Sequence, residues 1–262
     1  MIFLLRKLTF TIIILFGVLI LSSCLSPNIT PDPRTTHSPD PTFDATPNQH
    51  KTIAVLGGTG MVGRFLLEEA LEKGFRVRAL ARTPKKLEYL KDRLTVVTGN
   101  ALDPSAIDNL LQGSDIVISA LGPVKADGRL AKYLSTDVTA HLVKSMQKHN
   151  IKRYIVVSGG AVKMPGDDRN LTGWLIEKLA SIRYHDTLTD KQAEYQLLAG
   201  SNLEWTIVRC PLIENKTFRR APKASLLTLT SFYLRAGDLA QFIIEQISSD
   251  EFIRKGPFLE SQ

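Results

Sequence analysis

The chain has 262 residues, 44% hydrophobic and 23% charged, which excludes collagen-like and wholly disordered classes and supplies enough chain for one sizeable core. A formal net charge of +7 favours anionic partners such as phosphate cofactors or lipid headgroups. No zinc spacing, arginine-rich helix or aromatic-basic stripe supports a nucleic-acid role, which is set aside.

The N-terminus opens with basic Arg6 and Lys7, then an almost wholly apolar run from Leu8 to Leu21. That length suits a signal h-region and is short for a membrane span. It ends at Leu21-Ser22-Ser23-Cys24, which resembles the lipobox of bacterial lipoproteins. The resemblance implies cleavage before Cys24 and a diacylglycerol on its thiol, making residues 1–23 a signal peptide. An uncleaved N-terminal anchor helix is the alternative. In both readings the preceding positive charge keeps the N-terminus cytoplasmic and places the rest outside. Residues 24–50 are proline-rich and poor in large apolar side chains, so a disordered tether is expected. It spans up to ~75 Å as polyproline II and ~30 Å as a coil. With Cys24 lipidated, Cys210 has no intramolecular partner; it ends the apolar run LEWTIVRC and reads as buried packing.

Residues 51–262 alternate strand and helix signals. Strands are expected at Thr52–Leu56, Arg76–Ala81, Leu94–Thr98, Asp115–Ala120, Arg153–Val157 and Leu203–Val208. Between them lie helical patterns at Met61–Lys73, stopped by Gly74, and at Pro84–Lys91. Asp103 is placed to cap a helix that enters through Pro104 and runs to Leu111. Further helices are expected at 130–149, Thr189–Ala199 and Gly237–Ser248. Repeated βα units imply a Rossmann-like, doubly wound parallel sheet in a single folded α/β domain, with ligands at the carboxyl ends of the strands.

The first strand runs into GGTGMVG, residues 57–63, and a helix. In this strand–turn–helix context Gly57 permits the tight turn, Gly60 lets the backbone approach a pyrophosphate, and Gly63 permits close helix packing. The helix N-terminus offers amide donors and partial positive charge. At the end of the second strand stands Ala81-Arg82-Thr83, without the acid that would bind an NAD ribose. Arg82 suits the 2′-phosphate of NADP(H), which is expected to bind in preference to NAD(H).

Together with ALART (79–83), VVTGNALDP (96–104), VISALG (117–122), RYIVVSGG (153–160), LEWTIVRCPLI (203–213) and YLRAGDLAQFIIEQI (233–247), this loop resembles an atypical short-chain dehydrogenase/reductase of the NAD(P)H-binding group that includes NmrA-like and biliverdin reductase B/flavin reductase-like proteins. The resemblance implies a cofactor crevice touching Gly57, Thr59, Gly60, Met61, Val62, Gly63, Arg82, Asn100, Ala101, Ala120, Leu121 and Gly122, with Asn100 beside adenine. Ser158 would face the nicotinamide, and Lys191 would be the lysine of the family's Tyr-x-x-x-Lys motif. The chain departs from that motif: Thr187 stands at the tyrosine position. Tyr184 and Tyr195 have the wrong spacing, and His185 is a further proton source. Apolar Met164, Trp174, Leu175 and Ile176 either cover a planar substrate or pack locally.

The resulting expectation is a membrane-tethered NADPH-dependent reductase of a small planar acceptor such as a flavin, quinone or tetrapyrrole, with Ser158 and Lys191 as catalytic candidates. The alternatives are a non-catalytic NADP-binding sensor or assembly factor and, with less room for a sugar domain, a nucleotide-sugar epimerase. No metal site is expected. An exported domain that binds a cytoplasmic cofactor is a tension between the two ends of the chain.

Overall fold

The computed structural model describes residues 51–123, 128 and 132–262. The expected signal peptide, tether and Cys24 lie outside the described residues, as do residues 130 and 131 of the expected fourth helix.

The chain order is β1 (Thr52–Leu56), α1 (Met61–Glu72), β2 (Arg76–Ala81), a 3-10 turn (Pro84–Leu90), β3 (Thr95–Thr98), α2 (Pro104–Leu111), β4 (Ile116–Ser119), α3 (Leu134–Lys148) and β5 (Arg153–Gly159). It continues with α4 (Leu171–Arg183), α5 (His185–Ala199), β6 (Glu204–Cys210), β7 (Leu212–Glu214), β8 (Lys223–Ser225), β9 (Tyr233–Arg235), α6 (Ala236–Glu245) and β10 (Phe258–Glu260). The main sheet has the order β3-β2-β1-β4-β5-β6-β10-β8. All of its pairs are parallel except the last, where β8 runs antiparallel to β10 at the edge. The expected doubly wound parallel sheet is therefore present, with one antiparallel strand added at its edge. There the return from β8 to β10 closes the sheet after the βα units end.

Strand alternation explains the two cores. Ile53 and Val55 of β1 join one apolar cluster with Leu66 and Leu67 of α1 and Ile243 of α6. Ala54 and Leu56 join the other, with Ile107 and Leu110 of α2, Leu142 and Met146 of α3, and Leu198 of α5. Successive side chains point to opposite faces, so a strand covered on both sides is apolar throughout. Helix ends follow their local chemistry. Gly74 takes φ +79° just past α1, and the Asp103 carboxylate accepts from the Ser105 N–H at 2.9 Å to cap α2.

After β3 the chain crosses to the far side of β1 to form β4. Strand order therefore reverses between β1 and β4, which opens a crevice at their carboxyl ends.

Candidate functional site

The crevice begins where β1 ends. Gly57 takes φ +80°, and a Cβ there would stand 2.7 Å from the Ala120 carbonyl carbon, so both the turn and the close approach to β4 require glycine. The Gly60 N–H donates to the Gly57 carbonyl at 2.9 Å, closing the turn. Gly63 faces the carbonyl oxygen of Gly57 and the backbone of Gly58, which occupy the place of a side chain. Its role is therefore to seat α1 on the turn itself rather than on the sheet. Gly60 caps α1 without a side-chain hydrogen bond, so the first-turn amides are left for a ligand.

A cavity of about 200 Å³ lies against this turn. Gly57 and Thr59 supply one wall, Leu80 and Arg82 the end of β2, and Gly99, Asn100, Ala101 and Leu102 the loop after β3. Leu121 and Gly122 follow β4, and Leu134 opens α3. The cavity thus draws on the carboxyl ends of four adjacent strands. Asn100 shapes its loop: the side-chain oxygen accepts from the Leu102 N–H at 3.1 Å and the main-chain oxygen from the Asp103 N–H at 2.9 Å.

Of the residues expected from sequence, Gly57, Thr59, Arg82, Asn100, Ala101, Leu121 and Gly122 meet in this cavity. Val62 is buried in the core, Met61 is exposed, and Ala120 packs on the α1 side of the sheet. Leu80, Gly99, Leu102 and Leu134 were not foreseen. Leu80, Gly99 and Leu102 lie within ALART (79–83) and VVTGNALDP (96–104), whereas nothing local in the sequence brings Leu134 to them.

Ser158 and Lys191 lie apart from the cavity, at the carboxyl end of β5. Ser158 is buried, and its hydroxyl has no hydrogen-bond partner among the described residues. The Lys191 ammonium donates to the Val157 carbonyl at 3.2 Å and to Glu194 Oε2 at 2.9 Å. Two of its three donors are thereby engaged. Thr139 of α3 donates to Glu194 Oε1 at 3.0 Å, and the Tyr154 hydroxyl lies 3.5 Å from Thr139 Oγ1. Burial raises the Glu194 carboxyl above the ordinary carboxylate range, opposed by the Lys191 ammonium. Burial likewise pushes the Tyr154 phenol up. Neither Glu194 nor Tyr154 was foreseen; the three-residue spacing of Lys191 and Glu194 on a helix was the available signal.

The other proton-donor candidates take ordinary places. Thr187 is half-buried in the first turn of α5, and His185 is exposed. Tyr195 is buried edge-on to Trp205, with ring centroids 6.1 Å apart. Tyr184 is exposed beneath the Arg183 guanidinium. Met164 packs against the core on the α3 side, whereas Trp174 and Leu175 are exposed on α4. No cluster of metal-ligating side chains occurs among the described residues.

The family model described as NAD(P)H-binding matches residues 57–250, which include the glycine turn, the lining of the cavity, Ser158 and Lys191. The chain belongs to the NAD(P)H-binding family. A protein of similar sequence is the photosystem II assembly factor Ycf39 of Synechocystis, 23% identical over 217 residues that cover 78% of this chain and 60% of that protein. This chain thus spans less than two thirds of its curated relative's length. Among solved structures, a short-chain dehydrogenase/reductase from Veillonella parvula in complex with NADP aligns with a TM-score of 0.65 at 18% identity, over 80% of this chain and 94% of that one. The anaerobillin reductase ChuY from Escherichia coli O157:H7 aligns with a TM-score of 0.67 at 19% identity, over 80% and 96%. At these identities the two structures establish the fold of this NAD(P)H-binding chain and nothing finer.

Proposed function

We propose that this chain is an NADPH-dependent reductase of a small planar acceptor, a flavin, quinone or tetrapyrrole, tethered to a bacterial membrane through lipidated Cys24. The observation that carries the cofactor choice is Arg82 in the cavity wall at the end of β2, where Ala81-Arg82-Thr83 offers a guanidinium and no carboxylate. A ribose 2′-phosphate is matched by the guanidinium, and a 2′-hydroxyl gains little from it. The first-turn amides of α1 hold the pyrophosphate, and Asn100 and Ala101 flank adenine. The bound nicotinamide supplies a hydride. Lys191, held between Glu194 and the Val157 carbonyl, keeps one donor for the nicotinamide ribose. The Ser158 hydroxyl has the same face of the crevice to serve. Acceptors of this class take their proton from solvent, which is consistent with threonine at position 187.

Calorimetric titration of NADPH and NADH tests the proposal. NADPH binds at least about tenfold more tightly, the worth of one charge-assisted contact, and Arg82→Ala removes the difference. Equal affinities in the parent protein would refute the preference.

A second reading is favoured by Thr187 and by the burial of Lys191 against Glu194: a chain that binds NADP(H) without turnover, as a sensor or assembly factor. Incubation with NADPH and a panel of flavins, quinones and tetrapyrroles separates the two. Loss of NADPH absorbance supports the reductase, and tight binding without consumption supports the second reading.

A further inference from the structure

Helix α4 is built inside out. Its buried residues are Gly173 and Glu177, one turn apart on the same face. Gly173 lies against Thr228, and Glu177 pairs with Lys163 at 2.9 Å and faces Arg169 at 3.7 Å. The opposite face carries Leu171, Trp174, Leu175, Leu179 and Ile182, which are 80, 50, 42, 54 and 82% exposed. Their spacing places them on one stripe of about 140°. Among the described residues, no residue of α4 joins either apolar core. Leu226 and Leu227 are also exposed, in the segment whose Leu227 carbonyl accepts from the Asp168 N–H at 2.9 Å just ahead of α4.

We propose that this face docks on the surface of an anionic lipid bilayer. Two features select lipid over a second copy of the chain. Lys178 lies within the stripe and Arg183 at its border, and the one acidic residue of α4, Glu177, is turned inward. A two-fold contact centred on the stripe would bring Lys178, near the middle of α4, close to its own copy, whereas a bilayer accepts both cations at the headgroups while their stems lie along apolar surface. The second feature is the chain ahead of the described domain, with its apolar run from Leu8 to Leu21 and a proline-rich stretch between. A tether holds the domain beside the bilayer, and a second contact on the same membrane gains from the high local concentration that the tether imposes. This location rests on the membrane-tethered reading above and is independent of turnover.

The two tryptophans make the test direct, because Trp174 is on the stripe and Trp205 is 3% exposed. The full-length protein is mixed with phosphatidylglycerol vesicles carrying brominated acyl chains, and flotation and tryptophan emission are read together. Docking predicts flotation with a blue shift and quenching that disappear in Trp174→Phe. Leu175→Asp with Leu179→Asp, both at exposed positions, floats through the N-terminal anchor but loses the blue shift and the quenching. Flotation of the parent protein without quenching would overturn docking while leaving the anchor intact. Absence of flotation would overturn both. A sedimentation shift to dimer that the same two substitutions abolish, with no quenching by lipid, would assign the face to a second copy instead.

Discussion

Lys191 and Glu194 lie one turn apart on α5, with side chains only 8% and 3% exposed and charged atoms 2.9 Å apart. A buried pair of this kind adds little net stability, yet breaking it strands a charge. Lys191→Met is therefore expected to lower the unfolding free energy by about 3–5 kcal/mol. Adding Glu194→Met removes the stranded carboxylate and restores much of the loss. Urea titration of the parent, the single and the double variant measures this, and a double variant no more stable than Lys191→Met would show that the two charges do not depend on each other. The double variant also isolates the ribose contact, since it folds without the lysine and its NADPH affinity can be measured. The lysine was legible from its place in the resembled motif. Glu194 had only its i,i+3 spacing from the lysine to mark it, and Thr139 and Tyr154 had no local signal, because their meeting depends on how α3 and α5 settle against β5.

At the scale of elements, α2 and the end of α3 are joined by one carboxylate. Asp108 accepts from Lys148 Nζ at 2.8 Å and from Ser145 Oγ at 3.0 Å, and shares a hydrogen bond with His149 Nε2 at 2.9 Å. These bonds, Lys148 first, hold its carboxyl down from 3.8 to about 2. A depressed carboxyl stabilises the fold at every pH above its unfolded value and ceases to do so as pH falls through its folded value. Asp108→Asn is thus expected to lower the melting temperature at neutral pH, and the gap from the parent should close between pH 3.8 and about 2. A gap that persists unchanged at the acidic end would assign the loss to packing instead of charge. Helices α1, α2, α3 and α6 were legible because their apolar residues recur toward the sheet, β1 and β4 because they are buried throughout, and β2, β3, β5 and β6 because each carries a short β-branched or apolar run. Helix α4 was hidden for the opposite reason. Its leucines and Trp174 face outward, so residues 171–183 read as a covering segment without an assigned element. Strands β7 to β10 have three residues each, too short for an alternation to declare itself.

For the whole molecule, the cavity is lined by one half of the core, through Leu80, Ala101 and Leu134, and is reached from the other half through the glycine turn. The Gly57 turn is continuous with α1, whose leucines fill one face of the sheet, and Leu134 belongs to the cluster on the other. The βα alternation and the glycine turn made the fold and the cofactor end of the crevice readable from the chain. How Ser158 stands to that cavity was not, because it depends on β4 and β5 lying side by side. A ligand that bridges the two faces stabilises both at once. NADPH at a hundredfold excess over its dissociation constant contributes about 2.7 kcal/mol by mass action. For a domain of this size that is a rise of roughly 5–10 °C in melting temperature. Calorimetric scanning should show one transition that moves as a unit, with NADH moving it less at equal concentration and the two coenzymes becoming equivalent in Arg82→Ala. Two resolved transitions, only one of them shifted by NADPH, would mean that the glycine turn and the start of α3 unfold separately. The crevice would then be supported by one face of the sheet alone, and the coupling between the two apolar clusters through the coenzyme would be disproved.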